Sequence, residues 1–265
     1  MSIRDLSIVM VGAGNVATHL CKALKKAECN IKQVFSRTKE SAVILAEKID
    51  CLYTTDTESI CSDADLYIVS LKDSVLNEIL PRLVKRNHKA LFVHTAGSVS
   101  IDIWKGLTER YGVLYPMQTF SKQREADFSN VHFFVEANND CDVKLLKEVA
   151  SLLSTKVFEA SSEQRKYLHI SAVFACNFTN HMYAICQRLL ENNGLPFSSM
   201  LPLIDETANK VHHLSPIDAQ TGPAKRYDTN IMEQHINMLE NEPEIASLYK
   251  EISENIHKYD IENKH

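Results

Sequence analysis

The amino-acid sequence predicts an α/β chain: a doubly wound, mostly parallel sheet over residues 1–162, then an all-helical domain over 163–265. Three observations carry this. Short apolar runs alternate with helical patterns as far as about residue 162, the reading of successive βαβ units. The strand signals then stop, and from Glu163 onward only helical periodicity remains. The chain has 265 residues with 45% hydrophobic and 24% charged content, enough for two cores and ordinary for a soluble globular fold.

Leu6 to Val11 is a short apolar run that reads as a buried strand. It breaks at Gly12-Ala13-Gly14, and a helix follows with Val16, Leu20 and Leu24 at i, i+4 and i+8. The spacing is G-x-G-x-x-A, a form of the Rossmann dinucleotide fingerprint. Gly12 permits the tight turn, Gly14 removes the side chain that would block a pyrophosphate, and Ala17 lets the helix lie close on the strand. Ala13, Asn15 and Val16 stand where backbone N–H groups and the positive end of the helix dipole would face phosphate. Only seven glycines occur in the chain, and two of them are here. The competing reading is an ordinary strand–turn–helix corner.

Ile31 to Phe35 reads as the second strand. Where an NAD enzyme carries Asp or Glu for the ribose hydroxyls, this chain has Ser36-Arg37-Thr38. Arg37 can pair with a 2′-phosphate and the two hydroxyls can donate to it, which predicts NADP(H). A solvent-facing polar loop is the plain alternative. A helix over Ala42 to Ile49 and a weak strand at Leu52-Tyr53 come next. Leu66 to Leu71 then reads as a strand beside the first, across the switch point, so that Leu71 and Lys72 border the cofactor. A solvated lysine accounts for Lys72 equally well.

Ala90 to Val93 is the following strand, and His94-Thr95-Ala96-Gly97-Ser98 leaves it near the nicotinamide end of such a cofactor. Thr95, Ala96 and Gly97 are expected to touch cofactor and Ser98 substrate. His94 is a candidate acid or a histidine bonded to backbone. Gly112 to Tyr115, Val131 to Glu136 and Lys156 to Phe158 are further strands, with a helix from Asp142 to Leu153.

Glu163 to Asn193 reads as one long helix, ended by Gly194 and Pro196. It is apolar on most sides (Leu168, Ile170, Val173, Phe174, Phe178, Met182, Ile185), which predicts burial at the centre of a helical domain or in a dimer interface. Lys166, His169, Asn177 and Asn180 fall within an arc of roughly 80° at 100° per residue. That polar stripe needs either a neighbouring helix or a substrate cleft facing the first domain. Further helices are expected over 198–214, 228–239 and 243–259. Between them Thr221-Gly222-Pro223, with Lys225 and Arg226 behind, makes a stiff basic turn suited to an anion, or simply a capped helix–helix connection.

A net charge of −5 argues against nucleic acid or an anionic membrane as the main partner. No apolar run reaches the roughly 18 residues of a membrane span, and no signal peptide precedes the first strand. Seven scattered cysteines without C-x-x-C spacing read as reduced thiols in a cytoplasm, with neither disulfides nor a metal site.

These residues together resemble a family. The fingerprint, Ser36-Arg37-Thr38, His94 to Ser98, Pro116-Met117-Gln118-Thr119-Phe120, the Tyr167, His169 and Phe174-Ala175-Cys176-Asn177 helix, and Thr221-Gly222-Pro223 with Arg226 and Asp228 are similar to a bacterial two-domain family. That family joins a Rossmann-like NADP-binding domain to an all-α domain of unknown function, and is labelled NADP oxidoreductase of the deazaflavin cofactor-dependent type. In plan it is similar to pyrroline-5-carboxylate reductase and to the 6-phosphogluconate dehydrogenase superfamily, whose helical domains dimerise. The resemblance therefore implies a 6-phosphogluconate-dehydrogenase-C-terminal-like second domain. Two positions depart from it: Tyr227 stands where the family has Gly in Arg-Gly-Asp, and Tyr115 where it has His in His-Pro.

The expectation is an NADP(H)-dependent oxidoreductase that moves hydride to or from a small carbonyl or imine compound in the interdomain cleft, assembled as a homodimer through the helical domain. Lys166 or His169 would give the proton. Asn177 would orient the substrate. Thr221, Gly222, Pro223 and Arg226 would hold it, Arg226 pairing with its anionic group. The alternative is a non-catalytic NADP(H)-binding sensor or partner-binding protein, which would keep the fingerprint and need no proton donor. A purely structural dimer would leave the glycine turn unexplained.

Overall fold

The computed structural model describes residues 3–85, 87–121 and 124–263. Compact unit one runs from Met1 to Cys176 and unit two from Asn177 to His265, so the division falls inside the long helix, later than the residue-162 boundary expected from the strand signals.

Unit one is built on eight strands: β1 Ser7–Val11, β2 Asn30–Phe35, β3 Leu52–Thr54, β4 Leu66–Val69, β5 Leu91–His94, β6 Tyr111–Met117, β7 His132–Ala137 and β8 Val157–Glu159. Their order in the sheet is β3-β2-β1-β4-β5-β6-β7-β8, so β1 lies between β2 and β4 and the switch point is where the sequence places it. β1 to β6 run parallel, and β7 returns antiparallel to β6 with Tyr115 opposite Phe134. Side chains alternate across β1. Ile8 and Met10 pack under α1 (Asn15–Lys26), α2 (Lys39–Ile49) and α4 (Asp140–Ser151), while Val9 and Val11 pack under α3 (Asp73–Val84) and Trp104. Both faces are covered, which is why the run is apolar without polar alternation.

The helix at the end of unit one starts where the chain predicts. Ser161 caps α5 (Ser162–Ala172) in a reciprocal box with Gln164. Beyond it the reading needs correction. Val173–Phe178 is a π-helical turn, and α6 (Thr179–Asn192) follows it. The wider π turn changes the register, so a stripe drawn at constant 100° does not carry from Lys166 and His169 through to Asn177 and Asn180. Nor is the helix buried within the chain: Tyr167 is 74%, Ile170 52% and Phe174 63% exposed.

Unit two holds α6, α7 (Leu201–Lys210), two single turns α8 (Pro216–Ala219) and α9 (Pro223–Arg226), α10 (Thr229–Met238) and α11 (Pro243–Glu262). The expected 198–214 helix is shorter, and the expected 215–228 connection is itself two helical turns. Asp228 caps α10 through Ile231 N–H, as read from the sequence. Tyr227 sits at φ +55°, and its ring stacks on His257 with centroids 4.0 Å apart. That left-handed conformation accounts for the glycine of the resembled family.

Candidate functional site

The C-terminal ends of the parallel strands converge on one edge of unit one. Gly12 leaves β1 at φ +130°, with its N–H donating to the Phe35 carbonyl at 2.7 Å. A Cβ there would lie 2.1 Å from the Ser70 carbonyl oxygen, and the Leu71 side chain packs alongside. The glycine is therefore demanded by the close approach of the chain leaving β4 as much as by the turn. Ala13 and Ala17 are buried. Gly14 is the opposite case. It precedes α1 in extended conformation, no side chain caps the helix, and a Cβ on it would meet nothing within 4 Å. The first-turn N–H groups at Asn15 and Val16 thus open onto free space, which suits an anion. The Asn15 side chain is occupied elsewhere, donating to the Phe120 carbonyl at 2.9 Å.

One strand over, Ser36 is buried and its Oγ accepts from the Thr38 N–H at 3.4 Å. Thr38 precedes α2 without using its hydroxyl as a cap. Arg37 is exposed, and its guanidinium has no partner among the described residues. Glu40 already lies in the first turn of α2, so no carboxylate stands at the end of β2. A dinucleotide with a 2′-phosphate fits what is here: open donors at α1, a free cation and two hydroxyls at β2. Lys72 precedes α3 and is exposed.

The segment after β5 divides by role. Thr95 N–H donates to the Val69 carbonyl at 3.1 Å, tying the loop to β4. Ser98 donates to the Asp73 carboxylate at 2.7 Å. His94 needs correction as an acid. It is fully enclosed, its Nδ1 accepts from the Ala96 N–H at 3.2 Å, and its ring lies against Trp104. Burial first, and the nearby Arg165 charge second, push its pKa down to about 3. An imidazole that is neutral at physiological pH and closed from solvent cannot donate a proton to substrate.

Gly97 is where chemistry gathers. It is buried, and a Cβ on it would lie 2.7 Å from Cζ and 3.0 Å from the hydroxyl oxygen of Tyr115, and 3.1 Å from Nδ1 of His169. Tyr115 comes from β6 and His169 from α5, so three separate segments of unit one meet here. Of the expected proton donors, the structure brings His169 to this place. Lys166 points to solvent with its Nζ on Glu163 at 2.6 Å. Asn177 lies in unit two and is exposed. So do Thr221, Gly222, Pro223 and Arg226: Gly222 is at φ +105° before α9, and Arg226 is exposed. Lys225 turns inward to the Ile217 carbonyl at 3.2 Å and Asp260 at 3.8 Å, so it is not part of a basic anion site.

Two residues of this region were missed by sequence reasoning. Tyr115 was noticed as a departure from the family pattern and given no role. Arg165 was passed over; it is 0% exposed and holds Glu136 of β7, the Ser162 hydroxyl, and the carbonyls of Val99 and Ala160. It pins α5, and His169 one turn on, to the sheet. The signal available for it was the i, i+4 spacing of Arg165 and His169.

Comparison with known proteins agrees with this geometry. A family model described as NADP oxidoreductase coenzyme F420-dependent matches residues 7–97, and one described as domain of unknown function DUF2520 matches residues 131–256. A Bacteroides fragilis protein provisionally named an NADP oxidoreductase is 54% identical, over 97% of this chain and 100% of that one, with a TM-score of 0.94. A Coxiella burnetii pyrroline-5-carboxylate reductase is 17% identical, over 97% and 98%, with a TM-score of 0.60. An imine reductase of Myxococcus stipitatus in complex with NADP+ is 13% identical, over 97% and 93%, with a TM-score of 0.66. The last two are likenesses of fold. No curated protein matches the chain.

Proposed function

Because the chain belongs to the NADP oxidoreductase family represented by its Bacteroides fragilis relative, we propose that it is an enzyme, a reductase or dehydrogenase acting with NADP(H) on a small carbonyl or imine compound. The observation that carries this reading is one edge of one sheet. It has open N–H donors at α1 and the free Arg37 at β2, and further along the same edge polar side chains meet at Gly97. When bound, NADPH supplies a hydride. The chain's own part is to hold the dinucleotide by the α1 backbone and the Ser36-Arg37-Thr38 corner, and to handle the proton at His169. Lys166 is the weaker candidate, since its ammonium is paired with Glu163 in solvent. The imine class is the one named for the two distant fold relatives, and it suits a histidine poised to deliver one proton.

Arg37→Ala tests the cofactor side. A charge-assisted hydrogen bond is worth about 1.5–3 kcal/mol, so NADPH binding is expected to weaken roughly ten- to a hundredfold, with NADH nearly unchanged. Calorimetric titration of both cofactors decides it. Equal losses would mean that Arg37 stacks on adenine, and tighter NADH binding by the parent would overturn the NADP reading.

A homodimer through residues 163–240 belongs to the same proposal. Tyr167 and Ile170 in unit one, and Leu203 at 59% and Met238 at 81% exposed in unit two, are more apolar surface than a monomer usually leaves wet. Sedimentation at micromolar concentration should give twice the chain mass; a stable monomer contradicts it. No described helix is long and apolar enough to cross a membrane.

A further inference from the structure

We propose that the Tyr115 hydroxyl and the His169 imidazole form a two-point polar clamp over Gly97, which grips the oxygen or nitrogen of the reducible double bond and makes Tyr115 a catalytic residue. This rests on the reductase reading above. The Tyr115 side chain is 92% out of solvent by residue exposure, at 8%, and its hydroxyl has no hydrogen-bond partner among the described residues. An enclosed donor left unsatisfied costs about 1–3 kcal/mol, a cost that a ligand at this point removes. The hydroxyl and the His169 Nδ1 lie 3.0 and 3.1 Å from one empty position, the place of the missing Gly97 Cβ. Glycine is what leaves room for a small atom between them.

Chemistry matches geometry. Burial raises the Tyr115 pKa above the ordinary phenol value, against an opposing effect from Arg165, so the phenol is a donor at neutral pH. The other charged or titratable groups around it are Arg165 on α5, itself held by Glu136 of β7, and Cys176 in the π turn. As the double bond takes up hydride at carbon, its electron pair moves to the heteroatom. The heteroatom takes one proton from His169, which is half-buried and regains a proton from solvent. The Tyr115 O–H keeps its own proton and stays hydrogen-bonded to the heteroatom, orienting the bond and stabilising the charge that builds there.

The test uses the full chain labelled in histidine, without cofactor, and 2-pyrrolidinone, a lactam carbonyl that resists reduction. The His169 ring signals, identified by their loss in His169→Gln, are expected to shift saturably with the lactam. Tyr115→Phe should weaken that binding about threefold to tenfold, the value of one hydrogen bond, with NADP+ affinity and thermal unfolding unchanged. It should lower kcat/KM for NADPH-dependent reduction of 2-methyl-1-pyrroline by at least as much. Unmoved His169 signals in the parent, or an equal lactam Kd in Tyr115→Phe, overturn the clamp. If imine reduction proceeds unaltered in Tyr115→Phe, the clamp fails and the reductase reading stands. If the lactam reports the loss while neither imine nor ketone is reduced by the parent, the clamp stands and the reductase reading falls.

Discussion

Gly12→Ala is expected to cost the protein several kcal/mol of stability and its NADP(H) binding together. A side chain at φ +130° is strained by about 1–3 kcal/mol. The new methyl would also lie 2.1 Å from the Ser70 carbonyl oxygen, a backbone atom at the end of β4 that cannot swing aside. Relieving the contact means parting β1 from β4, which are paired from Ile8–Leu66 to Val11–Val69 at the centre of the sheet. Overpacking of this kind adds typically about 1–3 kcal/mol, and a whole domain holds only about 5–15 kcal/mol. Urea denaturation of the unliganded protein measures it. Gly14→Ala is the matched comparison. Its φ is −75° and its Cβ meets nothing, so stability should change little while NADPH binding falls. A Gly12→Ala protein as stable as its parent would show that the glycine is there for the ligand alone.

The second large effect is expected from Arg165→Ala. Its guanidinium is wholly buried and answers four groups: the Glu136 carboxylate, the Ser162 hydroxyl and the carbonyls of Val99 and Ala160. Removing one partner of a buried ion pair strands the other, which typically costs about 3–5 kcal/mol. Lys166→Ala, at the next residue, removes an exposed pair with Glu163 and should cost well under about 1 kcal/mol. Denaturation midpoints for the two variants separate burial from charge, because each loses one cation from the same helix. Arg165→Ala should lose activity as well, since the α5 face that carries His169 is no longer pinned to β7. Near-equal losses of stability in the two variants would refute this account of Arg165.

Much of the candidate site was legible because it is local. The G-x-G-x-x-A turn, the Ser36-Arg37-Thr38 corner and the loop after β5 each follow a strand whose apolar run marks its own end, and a parallel sheet sets those ends on one edge. The rest was not local. His94 sits one residue from the loop it was grouped with, yet the strand's alternation turns it into the core against Trp104. Lys225 and Arg226 are neighbours in sequence, but one turns inward to Asp260 and the other outward to solvent. The stripe drawn along the long helix assumed a constant pitch, and the π turn at Val173–Phe178 breaks it without any glycine or proline to announce it.

By itself, then, the sequence determined what periodicity and short motifs can encode: the alternation of strands and helices, the change to helices alone, the glycine turn, the cation without a carboxylate at the end of β2, and the family resemblance. Only the tertiary structure decided which polar side chains share a space. Tyr115 and His169 are separated by more than fifty residues, Arg165 and Glu136 by nearly thirty, and no spacing rule links either pair. Their meeting depends on the antiparallel return of β7 beside β6 and on a buried arginine that docks α5 against that strand. A side chain's partners are set by the solvent they are jointly denied, and that exclusion exists only once the sheet and helix have closed around Gly97.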